Sequence, residues 1–435
     1  MLIIVRINTF TLSYRIMNRF LIFLSVIAGL IIIVDLYSYK GFWLISQSWT
    51  EGARKLGRLL YWIPTAITLA LFVTLALGFD YFMGNKMYGF MYFVTGFAFV
   101  FFLPKLFFAG FHAIEDIGHL LRLGGSFVAA KVKSEPVEHI NRFQFLTQIG
   151  AGASMLVFGG LLYGVTRGKY AFRVIEQDVA LRGLPDAFAG ARIVHISDLH
   201  LGSFLDNYDE VQRAVDMINK LDADYIFFTG DMVNNYAAEA EPWVDIIGSI
   251  KARHGKYSIF GNHDYGDYAE WSNENDKKMN LQTLINIQKR MGFTLLRNES
   301  TYLEHDGQKI ALVGMENWGS GFAKYGDLKK SLSGVKDSDF KILLSHDPSH
   351  WEKEVMGKKN IALTLAGHTH GMQFGVEIPS LNIKFSPARM RYKRWGGLYS
   401  EGDQNLYVNR GFGFLGFPGR VGIWPEITLL KLQHA

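Results

Sequence analysis

Residues 191–202 read ARIVHISDLHLG, an apolar run followed at once by Asp198 and His200. The run is short and rich in β-branched residues, as expected of a buried strand. Polar side chains placed directly after such a strand lie at its carboxyl end, where open α/β sheets form their ligand sites. The segment therefore predicts an α/β domain with a functional site at the ends of its strands.

The same arrangement recurs along the chain. Four further apolar runs lead into the sequences TGD, GNHD, SHD and GHTH. Helical patterns at 208–221 and 277–291 separate some of the strands, which gives the β-α-β order of an α/β fold. Because strand ends converge in such sheets, we expect the polar clusters to meet in one crevice. The predicted strands are 191–196, 225–229, 257–260, 310–313, 341–345 and 361–366.

The side chains at these strand ends have the chemistry of metal ligands. They combine carboxylates, an amide and several imidazoles. A carboxylate that bridges two cations, together with imidazoles, suits Mn, Fe or Zn better than Mg or Ca, which prefer oxygen ligands. We therefore predict that the chain binds two divalent metal ions. The clustered residues are Asp198, His200, Asp231, Asn262, His263, Asp264, His346, His368 and His370.

The order of these clusters resembles the signature of the calcineurin-like metallophosphoesterases, D-x-H, G-D, G-N-H-D, H and G-H-x-H, across residues 198–370. The stretches RIVHISDLHLGS, FGNHDYG, LLSHDP, AGHTHGMQFG, LYVNRGFGF and PEITLLKL are similar to the membrane-associated YkuE/YaeI-like branch of that superfamily. The resemblance covers residues 169–432. It implies two β-sheets packed together between helices, and a phosphohydrolase that cleaves phosphodiester or pyrophosphate bonds by attack of a metal-bridging hydroxide.

The resemblance also implies a role for each polar residue. Two adjacent cations lower the pKa of a shared water, clamp the phosphate oxygens and stabilise the charge of in-line displacement. An imidazole beside them can protonate the leaving oxygen. The residues so implied are Asp198, His200 and His370 at one metal, Asn262, His346 and His368 at the other, Asp231 as the bridge and His263 as the general acid.

Two positions depart from the pattern of the family. Several relatives carry an Asp three residues after the bridging Asp, where it orients the general-acid His, whereas this chain has Asn234. An amide can hold a tautomer but cannot stabilise an imidazolium as a carboxylate does. We therefore expect Asn234 to orient His263 with lower efficiency. Met372 replaces the glycine of the usual GHTHGGQ, which suits either an apolar substrate or local packing.

Basic and aromatic side chains alternate after the last predicted ligand. Such a mixture suits a membrane headgroup zone or a phosphate-bearing substrate. A solvated surface loop would have the same composition. The residues are Lys384, Arg389, Arg391, Tyr392, Lys393, Arg394, Trp395 and Tyr399.

The first 165 residues are markedly more apolar than the rest. Four stretches have about the 20 residues that cross a ~30 Å hydrocarbon layer, and none has a polar face. They are residues 20–39, 59–79, 87–103 and 143–165. We predict an N-terminal transmembrane region of four helices at 1–165, a linker and lead-in strand at 166–190, and an α/β metallophosphoesterase domain at 191–435. Such a chain is a multi-pass cell-membrane protein whose partner is the lipid bilayer.

A further helical pattern lies between the third and fourth stretches. Apolar residues recur at helical spacing over 106–121, which predicts an amphipathic helix at the membrane interface. His112, Glu115, Asp116 and His119 share one side of this helix. They could bind a metal, but a solvated face is the favoured interpretation because the pattern is short.

Composition excludes several classes of function. Lys and Arg number 45 against 40 Asp and Glu, and a surplus of five charges over 435 residues gives no reason to expect a nucleic-acid partner. The chain has no cysteine, which excludes disulfides, thiolate metal sites and cysteine nucleophiles.

The charges between the spans predict the side of the membrane. An even number of spans places the catalytic domain on the side of the N-terminus. The two loops that join spans one to two and three to four hold nine basic residues, against seven on the other face, or five if translation starts at Met17. By the positive-inside tendency those loops are cytoplasmic, and the catalytic domain is extracytoplasmic.

Two other functions compete with the membrane-anchored phosphohydrolase. The first is a hydrolase like UDP-2,3-diacylglucosamine pyrophosphatase in lipid A biosynthesis, with a lipid-linked pyrophosphate as substrate. That substrate is made inside the cell, so membrane topology separates this alternative from an extracytoplasmic enzyme. The second is a non-catalytic membrane receptor or scaffold that retains the fold. Such a protein is expected to have lost at least one ligand, whereas all seven predicted positions are filled here.

Overall fold

The computed structural model describes residues 2–78, 81–82, 88–129 and 142–435. The chain divides into two compact units, Met1–Tyr163 and Gly164–Ala435. The first contains long apolar helices, and the second contains all of the strands in the described residues. We refer to them as the membrane unit and, because it contains the predicted catalytic residues, the catalytic unit.

Four long helices form most of the described part of the membrane unit, and the last of them leads into the catalytic unit. Each contains a stretch long and apolar enough to cross a bilayer, at Phe20–Ser46, Glu51–Leu77, Gly89–Gly118 and Leu146–Thr166. The predicted four-helix transmembrane region is thus confirmed. The helices are α1 Leu2–Ser46, α2 Glu51–Leu77, α3 Tyr88–Ala129 and α4 Arg142–Thr166.

The prediction of a separate interfacial helix at 106–121 is wrong. Helix α3 runs without a break from Tyr88 through Pro104 to Ala129, so these residues continue the third span. Transmembrane helices tolerate an internal proline because neighbouring helices and side chains satisfy the freed backbone groups. The side chains of Glu115 and His119 lie outside the described residues. Asp116 accepts hydrogen bonds from Tyr37 and Lys40 of α1, which gives it a structural role.

The catalytic unit is built on two six-stranded sheets and one small hairpin. In the first sheet the order is β1-β14-β2-β3-β4-β5, and in the second β12-β13-β9-β8-β7-β6, while β10 and β11 pair only with each other. The strands are β1 Arg173–Leu181, β2 Arg192–Ile196, β3 Tyr225–Phe228, β4 Gly255–Ser258, β5 Thr294–Leu295, β6 Glu299–His305, β7 Gln308–Gly314, β8 Lys341–Leu344, β9 Leu363–Ala366, β10 Val376–Ile378, β11 Ile383–Phe385, β12 Gly397–Glu401, β13 Gln404–Val408 and β14 Glu426–His434.

Alternate side chains of the strands pack between the two sheets, which lie face to face. In β3, Tyr225 and Phe227 join the core between the sheets, whereas Ile226 and Phe228 point to the opposite side. This alternation follows from the two-residue period of a strand. Because both sides are buried, the strands read as continuous apolar runs, which is why the sequence revealed them.

Helices cover the outer faces of both sheets. The helices of the catalytic unit are α5 Tyr208–Lys220, α6 Val244–Gly248, α7 Glu274–Arg290, α8 Leu328–Ser331 and α9 Pro348–His350. Val211 and Val215 of α5 and Leu284 and Ile287 of α7 pack in the core beside the first sheet. Trp351, which follows α9, packs against the second. The arrangement of two packed sheets flanked by helices is the one predicted.

Candidate metal centre

The predicted ligands follow strands of both sheets. Asp198 and His200 come after β2, Asp231 after β3 and Asn262 after β4 in the first sheet, where these strands are parallel. His346 follows β8, and His368 and His370 follow β9 in the second sheet, where these two strands are also parallel. Carboxyl ends of parallel strands face one edge, so both sheets deliver their polar residues to the same place.

Asp198, His200 and His370 form one group of possible ligands. The Nε2 atom of His370 lies 3.2 Å from Oδ1 of Asp198 and 3.1 Å from Nε2 of His200. All three residues are buried. Three donor atoms therefore converge from two sheets on a single point.

Asp231, His346 and His368 form a second group. The Nε2 atom of His346 lies 3.2 Å from Oδ2 of Asp231 and 3.2 Å from Nδ1 of His368. Asn262 belongs with this group, because its Oδ1 lies 3.1 Å from the same Nε2. The carboxylate of Asp231 also lies 3.6 Å from His200 of the first group. Its position between the two groups is the one expected of a bridging ligand.

The spacing of these atoms fits divalent cations. Ligands about 2.1 Å from an ion lie about 3.0 to 3.4 Å from one another in octahedral and tetrahedral arrangements. The separations at His370 and His346, from 3.1 to 3.2 Å, fall in that range. Two neutral imidazoles whose Nε2 atoms face each other at 3.1 Å need a shared proton or a cation between them. The residues present therefore fit a two-cation site.

The backbone at the site adopts an uncommon conformation. Five of the predicted ligands have φ values between 44° and 70°, in the left-handed region: Asp198, His200, Asp231, His368 and His370. Non-glycine residues rarely occupy this region, and each costs of the order of 1–3 kcal/mol. The surrounding structure must hold these turns, which aim side chains from short loops at one centre.

Glycines beside the ligands leave room for the carboxylates. A Cβ atom on Gly261 would overlap the carboxylate of Asp231, and one on Gly367 would overlap that of Asp198. The glycines of GNHD and GHTH are thus required by close packing at the site.

Most of the histidines have an acceptor on their outer ring nitrogen. Nδ1 of His200 lies 3.0 Å from Oδ1 of Asn234, and Nδ1 of His346 lies 2.7 Å from the carbonyl of Thr229. His368 is turned the other way, with Nε2 2.9 Å from the hydroxyl of Tyr392. Such contacts fix the orientation and tautomer of metal-binding imidazoles.

The expectation for Asn234 needs correction. It is the backbone carbonyl of Asn234, 2.7 Å away, that contacts Nδ1 of His263, and the side-chain amide instead contacts His200 and Ser203. The backbone turns at this position, so carbonyl and side chain serve different histidines. An acid at position 234 would therefore act first on the predicted ligand His200.

His263 lies at the open side of the centre. Its backbone N–H donates to Oδ1 of Asp231 at 2.9 Å, and its ring lies 5.1 Å from that of His200 and 4.6 Å from that of Tyr268. The side chain is partly exposed, unlike those of His200 and His346. With Nδ1 held by the carbonyl of Asn234, Nε2 is the atom left to exchange a proton with a substrate.

Burial and neighbouring charges shift the pKa values of three histidines at the site. Burial, and the neighbouring His370 and His263, lower the pKa of His200 to about 3, so its ring is neutral at physiological pH. Burial also lowers the pKa of His368, to about 4. Burial opposes the charged form of His346, yet the adjacent Asp231 carboxylate raises its pKa to about 10. A cation that binds through Nε2 of His346 therefore has to displace a proton.

Three residues outside the seven predicted ligands and His263 support the centre. Asp264 accepts hydrogen bonds from the backbone N–H groups of Asp231, Met232 and Gly261, which ties two ligand loops together. Burial, followed by the charge of Asp231, raises its pKa to about 7. Tyr392 contacts His368, as above. Asp264 stands in the GNHD cluster and Tyr392 in the basic and aromatic stretch, but neither pattern predicts these contacts.

Arg420 is the third and least expected. It is fully buried, its Nη2 donates to the carbonyl of Gly413, and the same atom lies 3.1 Å from Nδ1 of His370. A guanidinium only donates, so this contact uses the lone pair of Nδ1. Binding of a cation through Nε2 of neutral His370 places a proton on Nδ1 and requires this contact to change.

Both parts of the chain match families of known proteins. Residues 18–169 match the family described as "Probable Calcineurin-like phosphoesterase, transmembrane domain". Residues 191–372 match the calcineurin-like phosphoesterase family. The two matches follow one another along the chain.

Curated relatives have the same character. The Bacillus subtilis metallophosphoesterase YkuE is 29% identical over 68% of this chain and 99% of its own length. The Escherichia coli phosphodiesterase YaeI is 28% identical over 60% of this chain and 88% of its own. A Danio rerio transmembrane protein with a metallophosphoesterase domain is 28% identical over 63% of this chain, a match that spans 60% of that relative.

Proposed function

Because the chain belongs to the calcineurin-like metallophosphoesterases, and to their membrane-associated branch, we propose that it is a membrane-anchored phosphohydrolase that uses two divalent cations. The substrates would be phosphodiesters or pyrophosphates. One observation carries the proposal: two groups of ligand atoms, those of Asp198, His200 and His370 and those of Asp231, His346 and His368, all buried except the partly buried His368, meet at Asp231. A receptor that had lost catalysis would not need both groups intact.

Each residue of the site has a distinct task. The two groups, with Asn262 in the second, would hold Mn, Fe or Zn, since imidazole suits these ions better than it suits Mg or Ca. Such cations, when bound, supply charge neutralisation, Lewis acidity and activation of water at neutral pH. Asp231 would bridge them, while Asn234 and Thr229 hold the tautomers of His200 and His346.

His263 would complete hydrolysis by moving a proton. Water adds to phosphorus and releases a proton to solvent, one P–O bond breaks, and the leaving oxygen takes a proton from Nε2 of His263 in its imidazolium form, which solvent then restores. The carbonyl of Asn234 fixes the ring for this transfer, and the partial exposure of His263 leaves it open to substrate. The same geometry suits a diester or a pyrophosphate, because in both the leaving group departs through an oxygen atom.

A hydrolysis screen tests the proposal. Purified full-length protein would be loaded with Mn, Fe, Zn or Mg and given bis-p-nitrophenyl phosphate, UDP-2,3-diacylglucosamine and phosphomonoesters. We expect cleavage of the diester or the pyrophosphate with Mn, Fe or Zn, and loss of activity on chelation. The pyrophosphate alone as substrate would favour the lipid A alternative, and no metal-dependent hydrolysis of any of them would contradict the proposal.

The side of the membrane stays a prediction from loop charge. We propose that the catalytic unit is extracytoplasmic, so an alkaline phosphatase fused after Ala435 should be active. A fusion that is inactive, with fluorescence from a green fluorescent protein at the same position, would place the unit in the cytoplasm. That result would also favour a substrate made inside the cell.

A further inference from the structure

The β10–β11 hairpin exposes its apolar face to solvent. Val376 pairs with Phe385 and Ile378 with Ile383, so these four apolar side chains share one face. They are 38–57% exposed, and Leu381 at the turn is 65% exposed. A hairpin on a soluble surface normally buries its apolar face and exposes its polar one.

The polar face of the hairpin is turned towards the protein. Glu377 and Lys384 pair across it, and Oε1 of Glu377 lies 2.7 Å from Nη2 of Arg410. The ammonium group of Lys384 donates to the carbonyl of Gly396 and lies over the ring of Trp395. These contacts fix the hairpin, so its apolar face is presented outward by the fold.

Basic residues outnumber acidic ones around the hairpin. A cavity of about 400 Å3 beside the hairpin is lined by Arg173, Lys384 and Arg410, by the carboxylates of Glu377 and Glu426, and by Ile383 among others. On its carboxyl-terminal side Arg389, Arg391 and Lys393 are exposed, with Met390 91% exposed among them. Apolar side chains flanked by Lys and Arg are the composition of surfaces that enter anionic lipid headgroups.

The chain itself brings a bilayer within reach. Helix α4, the last span, ends at Thr166, and β1 begins at Arg173, so only six residues, 167–172, join them. Six extended residues reach at most about 22 Å. A bilayer is thus a permanent neighbour of the catalytic unit, whereas another protein partner would have to be recruited.

The hairpin is also joined directly to the candidate metal centre. It begins six residues after His370, and Ser386 at its end donates to the carbonyl of Gly371 at 2.6 Å. The segment that follows carries Tyr392 to within 2.9 Å of His368. Whatever surface the hairpin contacts therefore lies next to the reacting centre.

We propose that the β10–β11 hairpin enters the headgroup and upper acyl region of the bilayer and presents the metal centre to a phosphoester carried by a membrane lipid. The proposal rests on the proposed hydrolase function for its substrate and on the hairpin alone for its docking. Hydrolysis of such a lipid breaks a P–O bond at the membrane surface and returns the acyl-bearing part to the bilayer.

Spin labelling of the full chain tests the docking. Because the chain has no cysteine, Leu381→Cys gives a single labelling site at the turn. Gln282→Cys, on the exposed face of α7, is the matched control. In vesicles of phosphatidylcholine with roughly a fifth phosphatidylglycerol, we expect the label at 381 to gain access to oxygen and lose access to a nickel chelate by about fivefold relative to the control.

Two outcomes overturn the docking. A label at 381 that meets the nickel chelate as readily as one at 282 would show that the hairpin stays in water. A label shielded from both oxygen and the chelate would show a protein contact, such as a second copy of the chain. Each result is independent of whether the protein hydrolyses anything.

A paired activity assay tests the substrate. The double variant Ile383→Ser, Phe385→Ser should cleave soluble bis-p-nitrophenyl phosphate within about twofold of wild type but lose about tenfold in kcat/KM on hexadecyl p-nitrophenyl phosphate held in vesicles. Equal loss on both substrates, or loss on neither, would contradict the lipid-borne substrate. A wild-type protein that cleaves neither these diesters nor UDP-2,3-diacylglucosamine would refute the hydrolase function and leave the docking result to stand.

Discussion

The two units of the chain bury charge in different ways. In the membrane unit Asp35 of α1 is 1% exposed, and Lys105 of α3 donates to it at 2.8 Å and to Thr65 at 2.8 Å. In the catalytic unit Asp198 and Asp231 are just as buried, but their close neighbours are imidazoles. In the first cluster, the ammonium group of Lys105 neutralises the carboxylate of Asp35. The second consists of donor atoms spaced to surround ions, and it is the chemistry of the neighbours that separates the two.

The largest expected effect is the loss of a ligand. His200→Ala removes one donor of the first group, so kcat/KM for a diester should fall by about a thousandfold or more, with little change in unfolding. His254→Ala, an exposed histidine outside the groups, is the control and should keep its activity. If the two variants were equally active, the imidazoles at the strand ends would be structural, like the pair in the membrane unit.

The membrane pair should respond in stability instead. Lys105→Met leaves Asp35 buried without its cation, which should cost about 3 kcal/mol of unfolding free energy in detergent while activity per folded molecule is kept. Lys55→Met, which breaks the exposed pair with Glu51, should cost less than about 1 kcal/mol. Adding Asp35→Asn to Lys105→Met should recover part of the loss, and no recovery would show that the charge pair is not the cause.

A change at His263 should separate acid catalysis from metal binding. His263→Ala should keep its metal content and lose about a hundredfold in kcat on diesters with alkyl leaving groups, which need a proton. The loss should be far smaller for p-nitrophenolate, which leaves without one. A uniform loss on both leaving groups would show that His263 positions the site and is not the acid.

The smallest expected effect tests the corrected role of Asn234. Asn234→Ala removes the acceptor at Nδ1 of His200 and should weaken metal affinity about tenfold. Tyr392→Phe, which removes the hydroxyl at Nε2 of His368, should do the same for the second group. Metal titration with a competing chelator measures both. If Asn234→Asp shifts the basic limb of the pH profile and leaves metal affinity unchanged, the side chain at position 234 acts on His263 and not on His200.

The sequence predicted those parts of the site that depend on strand order. Each predicted ligand follows an apolar run, and because parallel strands end at one edge, their convergence could be inferred without coordinates. The left-handed backbone at Asp198 or His370 left no trace, since neither residue is a glycine. Arg420 contacts His370 from 50 residues away, and no local pattern marks such a contact.

The remaining differences arise from the surroundings of each segment. The sequence predicts the third apolar stretch at 87–103, whereas α3 continues through Pro104, and Lys105 just after it donates to Asp35 and to the carbonyl of Tyr61. The sequence at 376–385 is too short to reveal a strand pair by periodicity. Only the structure shows that its apolar face is exposed and its polar face contacts Arg410.

The central claim is that donors at the strand ends bind two cations through Asp231. Elemental analysis of the purified full chain, loaded with Mn or Zn and freed of excess metal, measures this directly beside Asp231→Asn. We predict about two ions per wild-type chain and fewer than about one in the variant, together with loss of diester hydrolysis. A wild type that retains no ion, or an Asp231→Asn protein that keeps two ions and full activity, would contradict the account.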